Sequence, residues 1–156
     1  GLGVGYTMPG LEAYTGQLAS DGSAIDRIRT VSTTTSDVAV TPFGLAQIGA
    51  AISRGAAPVP SIVAGQPAVA DREAPAIPSD VLDRLRATLQ TSATDMGLDG
   101  YAGLTGFAGN SDDDRWFIGN RDDLAFAVYI EDAGDDDQAV RMSTKLLDEM
   151  AAGSTE

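Results

Sequence analysis

Three stretches of the chain carry apolar residues at the spacing of an α-helix. In the first, Thr41 is a typical N-cap residue, Pro42 suits the first helical position, and Gly55 is a typical stop signal. Phe43, Leu45, Ile48 and Ile52 supply apolar contacts between them, with alanines among these residues. This pattern predicts a buried helix rich in small residues.

Two further helices are predicted downstream. One begins at Ser79 and ends near Gly97, and its apolar positions are Val81, Leu82, Leu85, Leu89 and Met96. The other closes the chain and begins at Asp135, Asp136 and Asp137, whose negative charges suit the positive end of a helix. Its predicted apolar face consists of Ala139, Val140, Leu146, Leu147 and Met150.

Between these helices the hydrophobic period changes from 3.6 to about 2. The segments GLTGFAG, RWFIGN and LAFAVYIE predict three consecutive strands in an antiparallel meander, with a tight turn at residues 120–123. Almost every position of residues 124–131 is apolar, which is typical of a central strand covered on both faces. The fold class predicted from the pattern is therefore α+β.

The other segments predict little regular structure. The opening GLGVGYTMPGLEAYTG lacks a preceding strand and the glycine spacing of a dinucleotide site, so we expect an irregular loop. Residues 22–40 favour extended structure or loop. Residues 56–78 hold five prolines and predict extended connecting chain, in which residues 60–63 could form a short strand.

Composition narrows the chemistry. The 156 residues are 43% hydrophobic, enough for one domain or a piece of one, and the net charge of −13 disfavours nucleic acid and anionic membranes as partners. The absence of cysteine and histidine excludes disulfides and the commonest metal ligands and bases. Catalysis would therefore require hydroxyls, carboxylates, backbone amides or the single Lys145. We expect no cofactor and no metal.

Two local clusters admit more than one interpretation. Asp112, Asp113 and Asp114 could bind calcium, but they lack the spacing of a calcium loop, so a solvated hairpin loop is favoured. Trp116 and Phe117 alternate faces of a strand, so one of them could line a groove. A place in the core is the favoured interpretation for both aromatic residues.

The order of several motifs carries a family resemblance. The segments follow in this order: VTPFGLAQIGAAISRGAAPVPSIVAG, a helix, AGLTGFAGNSDDDRWFIGNRDDLAFAVYIED and a final helix. This order resembles the second half of the transpeptidase domain of class B penicillin-binding proteins, closest to actinobacterial lipoprotein-like and division-type members. The resemblance runs from about Val38 onward, and MPGLEAYTG matches the loop after the second active-site motif. It implies that residues 1–156 are the C-terminal part of a D,D-peptidase/β-lactamase-like domain, with the terminal helix on one face of the sheet and two helices nearby.

The resemblance implies a function for a longer parent protein. Such enzymes cross-link peptidoglycan stem peptides through an acyl-serine, and β-lactams acylate the same serine. This chain contains neither the S-x-x-K nor the S-x-N motif, so by itself it should be inactive. The parent would be extracytoplasmic and anchored in the membrane through an upstream segment. The alternative is a non-catalytic cell-wall or divisome scaffold that keeps the fold.

The third family motif, K-T-G, corresponds to Leu104, Thr105 and Gly106, followed by Phe107. The resemblance implies that the Thr105 hydroxyl binds the substrate carboxylate, that Gly106 admits the substrate backbone, and that the Phe107 N–H completes an oxyanion hole. Leu104 supplies no cation. The parent could be degenerate, another cation such as Arg115 could substitute, or the position could be engineered or misaligned; Leu104 could also simply pack inward.

The resemblance also predicts an incomplete sheet. The family sheet has five strands, and the two that are missing here would flank the apolar terminal strand. Residues 124–130 would then form an exposed edge, through which we expect the chain to dimerise or to swap segments.

Overall fold

The computed structural model describes residues 3–18 and 38–153. The chain divides into two compact units, Gly1–Pro78 and Ser79–Glu156, and each is described by itself. Most of the prediction for residues 22–40 falls outside the described residues. Within the described ranges, no helix is long and apolar enough to cross a bilayer.

The first unit opens with a β-hairpin. Strands β1 (Gly5–Met8) and β2 (Leu11–Tyr14) pair antiparallel, and Gly10 between them has a φ of +76°. The expectation of an irregular loop was therefore wrong. Alternate residues of β1, Tyr6 and Met8, are buried, so the period of two is present but too short to stand out.

A second strand pair leads into the first helix. Strands β3 (Gly16–Leu18) and β4 (Val38–Val40) pair antiparallel, and helix α1 (Pro42–Arg54) follows. The Gly44 N–H donates to the Thr41 hydroxyl at 2.9 Å, as expected of an N-cap, and a left-handed glycine follows the last turn. The prediction of this helix is confirmed at both ends.

The proline-rich segment is mostly irregular, as predicted, but its strand lies elsewhere. Residues 60–63 do not form the short strand; they lead into a turn in which Val63 bridges Gln66. The paired segment is instead β5 (Val69–Ala70), which lies antiparallel to β1. The Asp71 N–H donates to the Gly5 carbonyl at 2.9 Å just beyond it.

The second unit has the predicted order of helix, three strands and helix. Its elements are α2 (Ser79–Asp95), β6 (Thr105–Ser111), β7 (Asp114–Arg121), β8 (Leu124–Ile130) and α3 (Gln138–Gly153). The strands form an antiparallel sheet in the order β6-β7-β8, and both helices pack against it. The meander and the α+β class are thus confirmed.

Both turns of the meander are two residues long. Asp112 and Asp122 occupy their first positions with φ values of 50° and 54°. Aspartate tolerates the left-handed region better than most residues, and turns of this hand match the twist of the strands. The sequence therefore fixes the strand register through its aspartates.

The prediction of the central strand was wrong. The buried centre of the sheet is β7, with Phe117 fully buried and Ile118 nearly so, whereas β8 is an edge strand and mostly half-buried. The apolar run in β8 is longer, but β7 contains Gly119 and Asn120, which made it look less buried than it is.

One face of the sheet forms the core with α2 and α3. The residues of this cluster are Ala93, Leu98, Leu104, Phe117, Phe126, Ala139 and Leu147. The predicted apolar face of α3 is only partly correct, because Leu146 and Met150 are exposed and Ser143 is buried in their place. The Ser143 hydroxyl donates to the Ala139 carbonyl at 2.8 Å, which satisfies its hydrogen bond within the helix.

Candidate functional site

Strand β6 carries the candidate residues and lies at the edge of its sheet. It pairs with β7 alone among the described strands, with Thr105 opposite Asn120 and Gly106 opposite Gly119. Successive side chains point to opposite faces, so Thr105 and Phe107 share the face away from the helices. The Thr-Gly pair therefore begins a strand whose outer edge is not paired with any described strand.

Leu104 is a core residue. It is 4% exposed and belongs to the cluster with Phe117 and Phe126, and its N–H donates to the Tyr101 carbonyl at 2.9 Å. Leu104 therefore packs inward, which was one of the alternatives that the sequence left open. A lysine at this position would have to leave the core or lose hydration at considerable cost.

Gly106 has a packing role within the sheet. A Cβ atom added to it would lie 2.4 Å from Cζ of Phe117 and 2.7 Å from the Ile118 carbonyl oxygen. The ring of Phe117 thus covers this glycine on the helix-facing side. The requirement for glycine is explained by the core alone, whatever approaches the strand from its edge.

The opposite face of β6 carries an aromatic pair. The rings of Phe107 and Trp116 are 5.8 Å apart, and a Cβ atom on Gly109 would lie 2.1 Å from Cζ2 of Trp116. Trp116 is only half-buried, so the interpretation of both neighbouring aromatic residues as core holds for Phe117 but not fully for Trp116.

A shallow groove of about 610 Å³ runs between α2 and β6. Phe107 and Ala108 form its β6 side. The residues that α2 and the turn after it contribute are small, hydroxyl-bearing or flexible: Ala87, Thr88, Thr91, Ser92, Asp95 and Met96. This lining offers hydrogen-bond donors and one carboxylate, but no cation.

Arg115 lies at the other end of β7 from Leu104 and has its own partners. Its guanidinium bonds Asp136 through Nε at 3.1 Å and Nη2 at 2.6 Å, and its Nη1 donates to the carbonyls of Asp112 and Asp114 at 2.9 Å. Arg115 lies opposite Asn110, five residues along the ladder from the Thr105 pair, which is about 17 Å. It closes the β6–β7 turn and anchors the segment before α3.

The acidic cluster in this turn is partly structural. Asp114 begins β7, where its carboxylate accepts hydrogen bonds from the Tyr129 hydroxyl and, at 3.2 Å, from the Asp132 N–H. The bond to Asp114 raises the pKa of Tyr129 to about 12. The prediction of a solvated loop therefore describes Asp112 and Asp113 but not Asp114, and no metal-binding group of three or more ligands occurs among the described residues.

The acidic residues before α3 also have defined partners. The Asp137 carbonyl accepts the Arg141 N–H at 2.9 Å, so Asp137 occupies the N-cap position. Arg141 also pairs with Asp135 at 2.6 Å, and this hydrogen bond is the main cause that lowers the pKa of Asp135. These acidic residues were predicted to interact with the positive end of the helix, and ion pairs with arginines hold them there in addition.

Sequence reasoning missed two polar residues beside the Thr-Gly pair. Asn120 is 5% exposed and lies opposite Thr105, and Arg121 lies where continuation of the ladder places it opposite Leu104. The Asn120 Oδ1 and the Arg121 Nε are buried without a hydrogen-bond partner among the described residues. The sequence contains a signal for these two residues, because a polar Asn and a charged Arg stand at the end of an otherwise apolar strand.

Comparison with protein-family models, with curated proteins and with solved structures finds no match to this chain. The functional assignment therefore depends on the motif order and on the geometry of β6. That geometry provides a hydroxyl, a buried amide, the Arg121 side chain across the ladder from Leu104, and a strand edge that no described strand pairs with, whereas the sequence contains neither the S-x-x-K nor the S-x-N motif.

Proposed function

We propose that this chain is the C-terminal part of a penicillin-binding-protein transpeptidase domain, and that its parent cross-links peptidoglycan stem peptides. The single observation that carries the proposal is the position of Thr105 and Gly106 at the start of an edge strand. The strand is followed by the expected meander and by a helix packed on the sheet, in the order that the motif resemblance implies. The parent would be extracytoplasmic and anchored through an upstream segment.

In this function β6 forms one wall of the acyl-donor site. The hydroxyl of Thr105 binds the carboxylate of a stem peptide or a β-lactam, and the Phe107 N–H donates to the developing oxyanion. The serine, its lysine base and the S-x-N residues would come from the other part of the parent, because the 156 residues contain neither motif. The chain alone therefore performs no acylation.

The alternative function is a non-catalytic cell-wall or divisome scaffold. It is favoured by the burial of Leu104 at the position of the family's lysine, and by the engagement of Arg115 with Asp136. An oxyanion or carboxylate site without an oriented cation loses transition-state stabilisation, at a cost of about a hundredfold or more in rate. In a scaffold the same fold would serve only to bind partners.

A fluorescent penicillin separates the two functions in the full-length parent. If the parent is catalytic, folded protein acquires a covalent label, and Thr105→Val slows labelling while Thr105→Ser largely restores it. Ser111→Ala, at the far end of the same strand, is the matched control and should label at the parental rate.

The contrary result is equally specific. If folded parent acquires no label at any penicillin concentration, active acylation is excluded and the scaffold remains. If labelling occurs but is indifferent to Thr105→Val, the carboxylate role of Thr105 is wrong.

A further inference from the structure

We propose that β8 and one flank of α3 form a single surface that binds a second copy of this chain. In the resulting two-fold dimer, β8 pairs antiparallel with β8 of the second copy, and α3 packs antiparallel against its counterpart. The edge pairing was expected from the sequence, whereas the helix contact and the register follow from the structure.

The edge of β8 is suited to strand pairing. In the order β6-β7-β8, no described strand lies on the outer side of β8, and all seven of its residues, Leu124–Ile130, are uncharged. An uncharged edge of this length offers unpaired N–H and C=O groups to another strand. None of the usual protections, such as an inward charge or a proline, is present within it.

The exposed flank of α3 is apolar and continuous. Met142, Leu146 and Met150 are 50%, 41% and 45% exposed and follow one another at intervals of four residues, so they form one ridge. Exposed large apolar side chains that are contiguous usually mark an interaction site.

The orientation of α3 places this ridge on the β8 side. Thr144 and Asp148 lie beside the Tyr101 side chain, and Tyr101 lies in the turn that leads into β6. These two residues therefore face the β6 side of the sheet. At about 100° per residue, Leu146 lies roughly opposite Asp148 on the helix, which directs the apolar ridge toward the open edge of β8.

Strand spacing then brings the two helices to packing distance. Helix α3 contacts β7 and β8 about equally, so it lies above the space between them. If two β8 strands pair, the two helices are separated by two strand spacings, or about 10 Å. Packed helices are about 8–10 Å apart, so the same two-fold axis satisfies both contacts.

A two-fold axis at Ala127 makes the interface self-complementary. It places Leu124 opposite the partner's Ile130, Ala125 opposite the partner's Tyr129, and Phe126 opposite the partner's Val128, so that no charged side chains meet along the strand.

Charge sets the conditions under which the dimer forms. The same register places Asp123 opposite the partner's Glu131, and each chain carries a net charge of −13. Both effects oppose association at low ionic strength and are screened by salt. In a longer polypeptide that supplied its own strand at this edge, that strand would replace the second copy.

Sedimentation velocity of the full chain tests the dimer. We expect the dimer fraction to increase with protein concentration and, at fixed concentration, between about 20 mM and about 500 mM salt. Asp123→Lys should tighten the dimer about tenfold at low salt, since it converts a repulsive pair into an attractive one. A chain that stays monomeric at millimolar concentration and high salt would overturn the proposal.

Two further variants test the surface and the register. Leu146→Glu should weaken the dimer at least about tenfold, whereas Leu85→Glu adds the same charge at another exposed leucine, on α2, and should have little effect. Because the chain has no native cysteine, Ala127→Cys should form an intermolecular disulfide on mild oxidation, and Ala87→Cys on α2 should not. Equal weakening by both glutamates, or equal cross-linking by both cysteines, would exclude this surface.

Discussion

The two units of the chain are stabilised in different ways. The described core of the first unit includes Val4, Tyr6 and Met8 with the ring of Phe43 packed against it, and threonine hydroxyls bond to the backbone around it. The core of the second unit is built from aromatic and aliphatic side chains between a sheet and two helices, with Phe117 at its centre. One unit therefore depends on close backbone approach, and the other on buried volume.

Two threonines bond to the backbone in the described part of the first unit. The hydroxyl of Thr15 is buried, accepts the Val4 N–H and donates to the Val4 carbonyl, both at 3.0 Å. The Thr41 hydroxyl caps α1 and donates to the Tyr14 carbonyl at 2.6 Å. A Cβ atom on Gly44 would lie 1.8 Å from the Thr15 carbonyl oxygen, so the helix begins in direct contact with the strand backbone.

The comparison explains why the two units differ in how much a sequence reveals. A core of large apolar side chains requires long apolar patterns in the sequence. In the second unit those patterns predicted all five helices and strands. Hydroxyl-to-backbone bonding requires only isolated threonines and glycines, which carry no periodicity.

Removal of the central ring of the second unit should have the largest effect. Phe117→Ala leaves a cavity in the core and uncovers Gly106, and should lower the free energy of unfolding by about 4 kcal/mol. The fluorescence of Trp116, the only tryptophan, follows the unfolding of this unit in denaturant. Phe117→Leu should cost clearly less; an equal loss would mean that ring volume does not determine the stability.

The corresponding change in the first unit is the loss of one hydroxyl. Thr15→Val keeps the shape of the side chain but leaves the Val4 N–H and carbonyl without this partner, at a cost of about 2 kcal/mol. Hydrogen exchange of the Val4 amide should accelerate, and Thr15→Ser should retain protection. Unchanged exchange in Thr15→Val would contradict the dependence of this unit on hydroxyl bonding.

A smaller effect is expected at the helix cap. Thr41→Ala removes the acceptor of the Gly44 N–H and should destabilise α1 by about 1 kcal/mol. The Gly44 amide, observed by NMR, should lose protection, whereas Thr41→Ser should behave like the parent. A loss that also appeared in Thr41→Ser would point to the methyl group instead of the cap.

The smallest effect is a pH dependence in the second unit. Because the pKa of Tyr129 is raised to about 12 from an ordinary value near 10, its bond to Asp114 stabilises the fold fully below pH ~10. That contribution is lost as the pH rises through ~12. Tyr129→Phe should therefore show a shallower alkaline decline of unfolding free energy than the parent, measured by denaturant titration; parallel curves would show that Tyr129 does not hold its proton in the fold.

Some of the candidate site was also predictable. The pattern placed Thr105 and Gly106 on the first strand of a meander, and the structure has them at the start of β6. The pattern could not show that Leu104 faces the core. A shift of one residue moves a side chain to the other face of the sheet, and packing with α2 and α3 decides which face is buried. The long apolar run of β8 suggested a central strand, although the predicted meander already places β7 between β6 and β8; local apolar content was the wrong guide here.

The pattern of strand pairing has a consequence for the order in which the chain folds. Strands β6, β7 and β8 are sequence neighbours joined by two-residue turns, and hairpins of this kind close within about 1–10 μs. Strand β1 must instead wait for β5, because Tyr6 pairs with Ala70 across most of the first unit. Contacts of such sequence separation form slowly, so we expect the later-synthesised half of the chain to reach its native state first in refolding experiments.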